Sequence, residues 1–119
     1  MIVKIANKEH ELHFGWSFLD RINTTFGIKV EEGEQEINTR TGGLAFMHSG
    51  LEANDPTAVL KVIQAGTNTE KQQPSVVNIQ KFVEDKLINE PKEYKKFVKE
   101  LNDTIKKEPM LKALSELND

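Results

Sequence analysis

The sequence predicts an α+β fold, predominantly helical, with an N-terminal β-hairpin packed on a bundle of five to six helices. Three observations carry this. The first fourteen residues alternate apolar and polar side chains about a turn. From Asp55 onward apolar residues recur at helical spacing in four successive runs, and the prolines at 56, 74, 91 and 109 fall where those runs open or break.

In the hairpin, Met1, Val3 and Ile5 alternate with Ile2 and Lys4, Asn7-Lys8 supplies the turn, and Leu12 and Phe14 return with Glu11 and His13 between them. Its inward face is Val3, Ile5, Leu12 and Phe14, with His10 and Glu11 near the turn. Gly15 and Trp16 make a corner, with Trp16 read as a lid over the hairpin and first helix. Ser17 is the expected N-cap of a helix from Ser17 to Phe26, with Phe18, Leu19, Ile22 and Phe26 on one face and Gly27 closing it. Ile28 and Val30 suit a short third strand. The run Glu31 to Glu36, with Gly33 inside it, then reads as a mobile acidic loop. A short helix starts at Thr39 or Arg40 and runs to Ser49, stopped by Gly50.

The stretch from Asp55 to Gly66 carries the strongest local signals. Asp55 can accept from a free first-turn amide, Pro56 suits the first helical position, and Gly66 is expected to close the helix in a left-handed conformation. Apolar residues cover most of its circumference and leave a stripe of Thr57, Lys61 and Gln64, so Leu60 and Ile63 are expected among the least exposed side chains. A polar connector, Thr67 to Gln73, leads to a helix opened by Pro74-Ser75, with Val76, Ile79, Phe82, Val83 and Leu87 on one face. An amphipathic helix follows Pro91, with Tyr94, Phe97, Val98, Leu101 and Ile105 on one side and interleaved lysines and glutamates on the other. After Pro109, Met110, Ala113, Leu114 and Leu117 form a short terminal helix. No composition shift marks a boundary, so residues 1–119 read as a single domain.

Composition narrows the function. At 119 residues, 37% hydrophobic and 29% charged, the chain can bury roughly two-thirds of its unfolded surface without staples. The absence of cysteine removes disulfides and thiolate metal sites. A net charge of −3 supplies no overall positive field for a phosphate backbone, so nucleic acid is not an expected partner. No apolar stretch is long enough for a membrane span, and a cytoplasmic location is expected.

No catalytic, cofactor or metal residue is expected. His10 and His13 point to opposite faces of a strand, with no third ligand near them. His48 and Ser49 lack a nucleophile elbow, and His48 reads as an ordinary helix-end residue. Gly42-Gly43 belongs to no phosphate-binding loop, and the glutamates at 31–36 lack the alternating ligands of a calcium loop.

Two series of residues resemble a known family. One runs from Asn54-Asp55-Pro56 through Val59-Leu60, Ile63, Ala65 and Thr67 to Lys71, Pro74-Ser75, Ile79 and Val83-Glu84. The other is Asn7-Lys8-Glu9, Leu12, Phe14-Gly15, Phe18-Leu19 and Gly27. Together they resemble the tail assembly chaperones of long-tailed phages infecting Gram-positive bacteria. The resemblance implies a non-enzymatic protein, made in an infected cell or from a prophage, without cofactor. It would bind the long hydrophobic tape measure protein, keep it soluble and help tail tube subunits assemble around it, in the host cytoplasm and not in the finished tail. Partner binding is expected on the last two helices, at Phe97, Leu101, Ile105, Met110, Leu114 and Leu117, and the weak terminal helix is also where self-association is expected. The competing reading is a small helical phage or prophage regulator that binds DNA. Its best recognition helix, Lys92 to Lys107, carries Glu93, Glu100 and Asp103 among its lysines and no arginine to read base edges.

Overall fold

The structure is a computed structural model describing residues 1–39 and 41–117; Arg40, Asn118 and Asp119 lie outside the described residues. In chain order the elements are β1 Ile2–Ile5, β2 Lys8–Glu11, α1 Trp16–Phe26, β3 Lys29–Glu32, β4 Gln35–Asn38, α2 Gly43–Glu52, α3 Pro56–Gly66, α4 Val76–Asn89, α5 Pro91–Lys107 and α6 Pro109–Leu117. The α+β, mostly helical expectation holds.

Helix α3 is packed by α1, α2 and α4, while α5 packs on α2, α4 and α6. Asp55 accepts from the Thr57 amide at 2.9 Å and Pro56 sits in the first turn, as the local signals require. Ala58, Val59, Val62, Ile63 and Ala65 are buried, but Leu60 is only half-buried. Its spacing from Thr57 and Gln64 places it on the open stripe with them. Gly66 is not a left-handed cap. It lies in the last turn, where an added Cβ would come within 3.2 Å of the Leu12 side chain, and its carbonyl accepts from the His13 amide. The glycine therefore serves close approach of the first hairpin.

That hairpin is antiparallel, pairing Val3 with His10 and Ile5 with Lys8, and buries Val3, Ile5, Leu12 and Phe14 as expected. The turn lies one residue earlier than expected. Ala6 and Asn7 have φ of 51° and 63°, the double left-handed geometry that follows strand twist. Alanine there stores about 1–2 kcal/mol of steric cost. His10 faces inward and is buried. Its Nδ1 meets Glu70 Oε2 at 2.6 Å, and Glu70 Oε1 accepts from the Glu11 amide at 2.9 Å. The connector after α3 thus clasps β2.

Helix α1 begins at Trp16 with Gly15 as N-cap. Ser17 does not cap it; its hydroxyl accepts from Asn68 Nδ2 at 2.6 Å. Nor is Trp16 a lid, since it is 79% exposed. Phe18 and Ile22 define the buried face, and Trp16, two positions before Phe18, lies roughly 200° around the helix from it.

The acidic stretch is not a loop. Residues β3 and β4 form a second antiparallel hairpin, pairing Val30 with Ile37 and Glu31 with Glu36, with Gly33 at φ 65° in the turn. Its root is closed by the Ile28 amide donating to the Thr41 carbonyl and tied to α1 by Asn38 Nδ2 donating to the Thr24 carbonyl. Helix α2 starts at Gly43, beyond the expected Thr39, while the alternative start at Arg40 lies outside the described residues. It runs through Gly50, where the absent side chain admits the Ala58 methyl of α3.

Helix α4 is capped by Ser75, which accepts from the Asn78 amide at 3.1 Å, and buries Ile79 and Val83. Val76 and Leu87, at its ends, are exposed. Helix α5 buries Tyr94, Val98, Leu101 and Ile105, and the Tyr94 hydroxyl donates to the Asn54 carbonyl at 2.8 Å, locking α5 to the α2–α3 turn. Burial holds the Tyr94 hydroxyl above its ordinary pKa, with the Asp55 charge adding to the effect.

Candidate partner-binding surfaces

The expected partner face is dispersed by the fold. Leu101 and Ile105 have no exposed surface: α5 turns them into the core, so they offer nothing to a partner. Phe97 is half-buried, edge-on to Phe82 at 5.6 Å, with Lys86 Nζ over both rings. Met110 is half-buried, and Leu111, which the sequence reading passed over, is the buried anchor of α6. Leu117 is 82% exposed.

Of the six, Leu114 lines a substantial cleft. This cleft, of about 600 Å³, lies between α1, α2 and α6, and Leu19, Leu44, Leu111 and Leu114 supply its apolar wall. Gly43 forms part of its floor. There α1 and α2 approach so closely that a Cβ would fall 2.6 Å from the Ile22 carbonyl oxygen, and the Gly43 amide donates to Asn23 Oδ1 at 3.0 Å. The walls come from three elements distant in sequence, and no local pattern announces them.

His48 borders the same cleft. It is a mid-helix residue rather than a helix-end one, and its Nδ1–H donates to Oδ1 of the buried Asn102. Burial holds its pKa below the ordinary value of 6.5; the Asn102 bond opposes this, Lys106 adds to it and Glu52 opposes it. In the window between the depressed folded pKa and 6.5, the unfolded chain binds more protons. The His48 contribution is therefore fully present above that window and lost as pH falls through it. Denaturant melts from pH 7.5 downward should show wild-type stability declining more steeply through this window than that of His48→Gln, which removes the titration; parallel pH profiles would contradict the assignment.

A second cleft, of about 570 Å³, lies between the end of α2 and the first turns of α5. Leu51 and Val98 border it, and Lys92, Lys95, Lys96 and Lys99 rim it. Lys99 is held by Asp103 at 2.8 Å, and that hydrogen bond raises the lysine pKa and lowers the aspartate's. Lys92, Lys95 and Lys96 make no ion pair among the described residues.

The described residues contain no group of three or more His, Cys, Asp or Glu able to hold a metal ion. His10 and His13 do point to opposite sides, one buried and one exposed. No described helix is long and apolar enough to cross a membrane.

Comparison with curated proteins and with solved structures gives no match. A family model does match: phage tail assembly chaperone protein, TAC, over residues 2–116. The matched span takes in both hairpins and nearly all of the six helices, so the chain belongs to the phage tail assembly chaperone family.

Proposed function

We infer that this protein binds the tape measure protein of its phage and keeps it soluble in the host cytoplasm until tail tube subunits enclose it, without enzymatic chemistry, nucleotide or metal. Self-association would let several copies share one long client, since linked sites gain avidity.

The observation that carries this beyond family membership is the apolar cleft between α1, α2 and α6. Its leucines suit the apolar face of a client helix, which docks through anchors at helical spacing. Charged residues make up 29% of the chain, a share that helps keep a complex with a hydrophobic client dispersed.

Co-expression with the tape measure protein tests the reading through soluble client yield and co-purification. Wild type should raise the soluble client and co-purify with it. Leu44→Asp and Leu114→Asp, checked for native circular dichroism, should lower recovery about tenfold or more, since each puts a charge in an apolar contact. If wild type neither solubilises nor retains the client, the function is wrong; if the folded variants bind normally, the client sits elsewhere.

A further inference from the structure

The apolar cleft between α1, α2 and α6 holds one polar ring. Leu44 and His48 lie four residues apart on α2, one turn from each other on the same face, and both are half-buried along the wall. The other polar side chains around the cleft are engaged or stand at its edge: Asn23 Oδ1 accepts from the Gly43 amide, the Thr41 hydroxyl meets that of Thr39 at 2.9 Å, and Ser115 is exposed.

His48 differs from these. Its Nδ1–H is committed to Oδ1 of the buried Asn102, which fixes the neutral tautomer and leaves Nε2 with a lone pair and no proton. Nε2 makes no hydrogen bond among the described residues, and no buried side-chain nitrogen or oxygen among them lacks a partner, so Nε2 meets solvent at the cleft that His48 lines. A client helix closing on Leu19, Leu44, Leu111 and Leu114 would strip that water. Left dry and unpaired, the acceptor would weaken binding roughly tenfold to a hundredfold. The leucines attract an apolar helix without fixing where along its length it sits, whereas a single buried polar contact selects one register.

Resting on the client reading above, we propose that the segment filling this cleft is an apolar helix with one uncharged hydrogen-bond donor, a Ser, Thr, Asn or Gln side chain, that donates to His48 Nε2, and that His48 thereby sets the register in which the client binds. A charged donor would be costly against the leucines. Protonation abolishes the acceptor, because an imidazolium donates at both nitrogens and places a charge under the client. The charges acting on His48 are Lys106 of α5 and Glu52 of α2, which pair with each other at 3.6 Å; among the described residues α1, α3 and α6 add none. Free His48 titrates below 6.5 and a client donor lowers it further, so capture should weaken below that pH by up to about tenfold per pH unit.

The test is affinity capture of the tape measure protein by the tagged full chain, stepped from about pH 7.5 downward with circular dichroism recorded at each step. Wild type should release the client as pH falls, whereas His48→Gln, measured relative to its own capture at the starting pH, should hold a flat profile. The double variant His48→Leu with Asn102→Leu, which leaves neither partner of the internal bond unpaired, should fold and capture roughly tenfold less client at the starting pH. That sign is decisive: a cleft that needs only apolar contact would bind as well or better with leucine in place of the ring. Capture by the folded double variant equal to or above wild type overturns the proposal, as does a pH profile that His48→Gln leaves unchanged. If Leu44→Asp still abolishes capture in either case, the client remains in the cleft and only the role of His48 is lost. A wild type that captures no client at any pH defeats the client reading itself, and this inference with it.

Discussion

Ile63→Ala is expected to lower the free energy of unfolding by about 2–5 kcal/mol, because it removes buried methyl groups and leaves a hole that α1, α2 and α4 cannot all close. Ile63 has no exposed surface and lies in α3, around which α1, α2 and α4 are arranged. Leu60→Ala, three residues away, provides the contrast. Its side chain stands on the open stripe with Thr57 and Gln64, so the loss should be about 1 kcal/mol. Urea melts followed by circular dichroism would measure both. Equal losses for the two variants, or a loss below about 0.5 kcal/mol for Ile63→Ala, would contradict the arrangement of α3.

Gly43→Ala should cost about 1–3 kcal/mol, the range for forcing extra volume into a packed contact. The new methyl would meet backbone, 2.6 Å from the Ile22 carbonyl oxygen and 2.8 Å from the Asn23 Cα, and backbone has no rotamer with which to move aside. The remaining response is for α1 and α2 to separate, lengthening the Gly43 amide bond to Asn23 and reshaping the cleft both helices line. Client recovery should therefore fall along with stability. Gly15→Ala is the control for close contact, with nothing within 4 Å of the added methyl and a φ of −98°, and should lose no more than about 1 kcal/mol, the cost of alanine at an N-cap. A Gly43→Ala protein as stable as that control would mean that the two helices are not in close contact.

The residues announced what is local and left open what is assembled. Asp55 and Pro56 state a helix start because capping needs only the neighbouring amides, and the inward face of the first hairpin follows from strand alternation. Leu101 and Ile105 show the limit of periodicity: it identifies the apolar face of a helix without saying what covers it. The second hairpin escaped because β4 carries a single apolar residue, Ile37, and a hairpin whose strands stay largely exposed needs no alternating pattern. Gly66 and Gly50 were both read as stops, the commonest use of glycine near a helix end, whereas each makes room for a neighbouring element. The α1–α2–α6 cleft had no local signature. Its leucines are ordinary members of three amphipathic helices, and only their mutual placement makes a cavity.

The exposed position of Trp16 decides how the protein can be watched in solution. It is the sole tryptophan, and its indole already stands in water in the native state. Unfolding transfers it from water to water, so its emission spectrum is a poor reporter of denaturation, and melts are better followed by helical circular dichroism. The same exposure makes it a good optical reporter of binding: a client or second copy that settles beside the start of α1 will shift its emission to the blue and shield it from iodide. Docking and unfolding can thus be read in one sample by two separate signals.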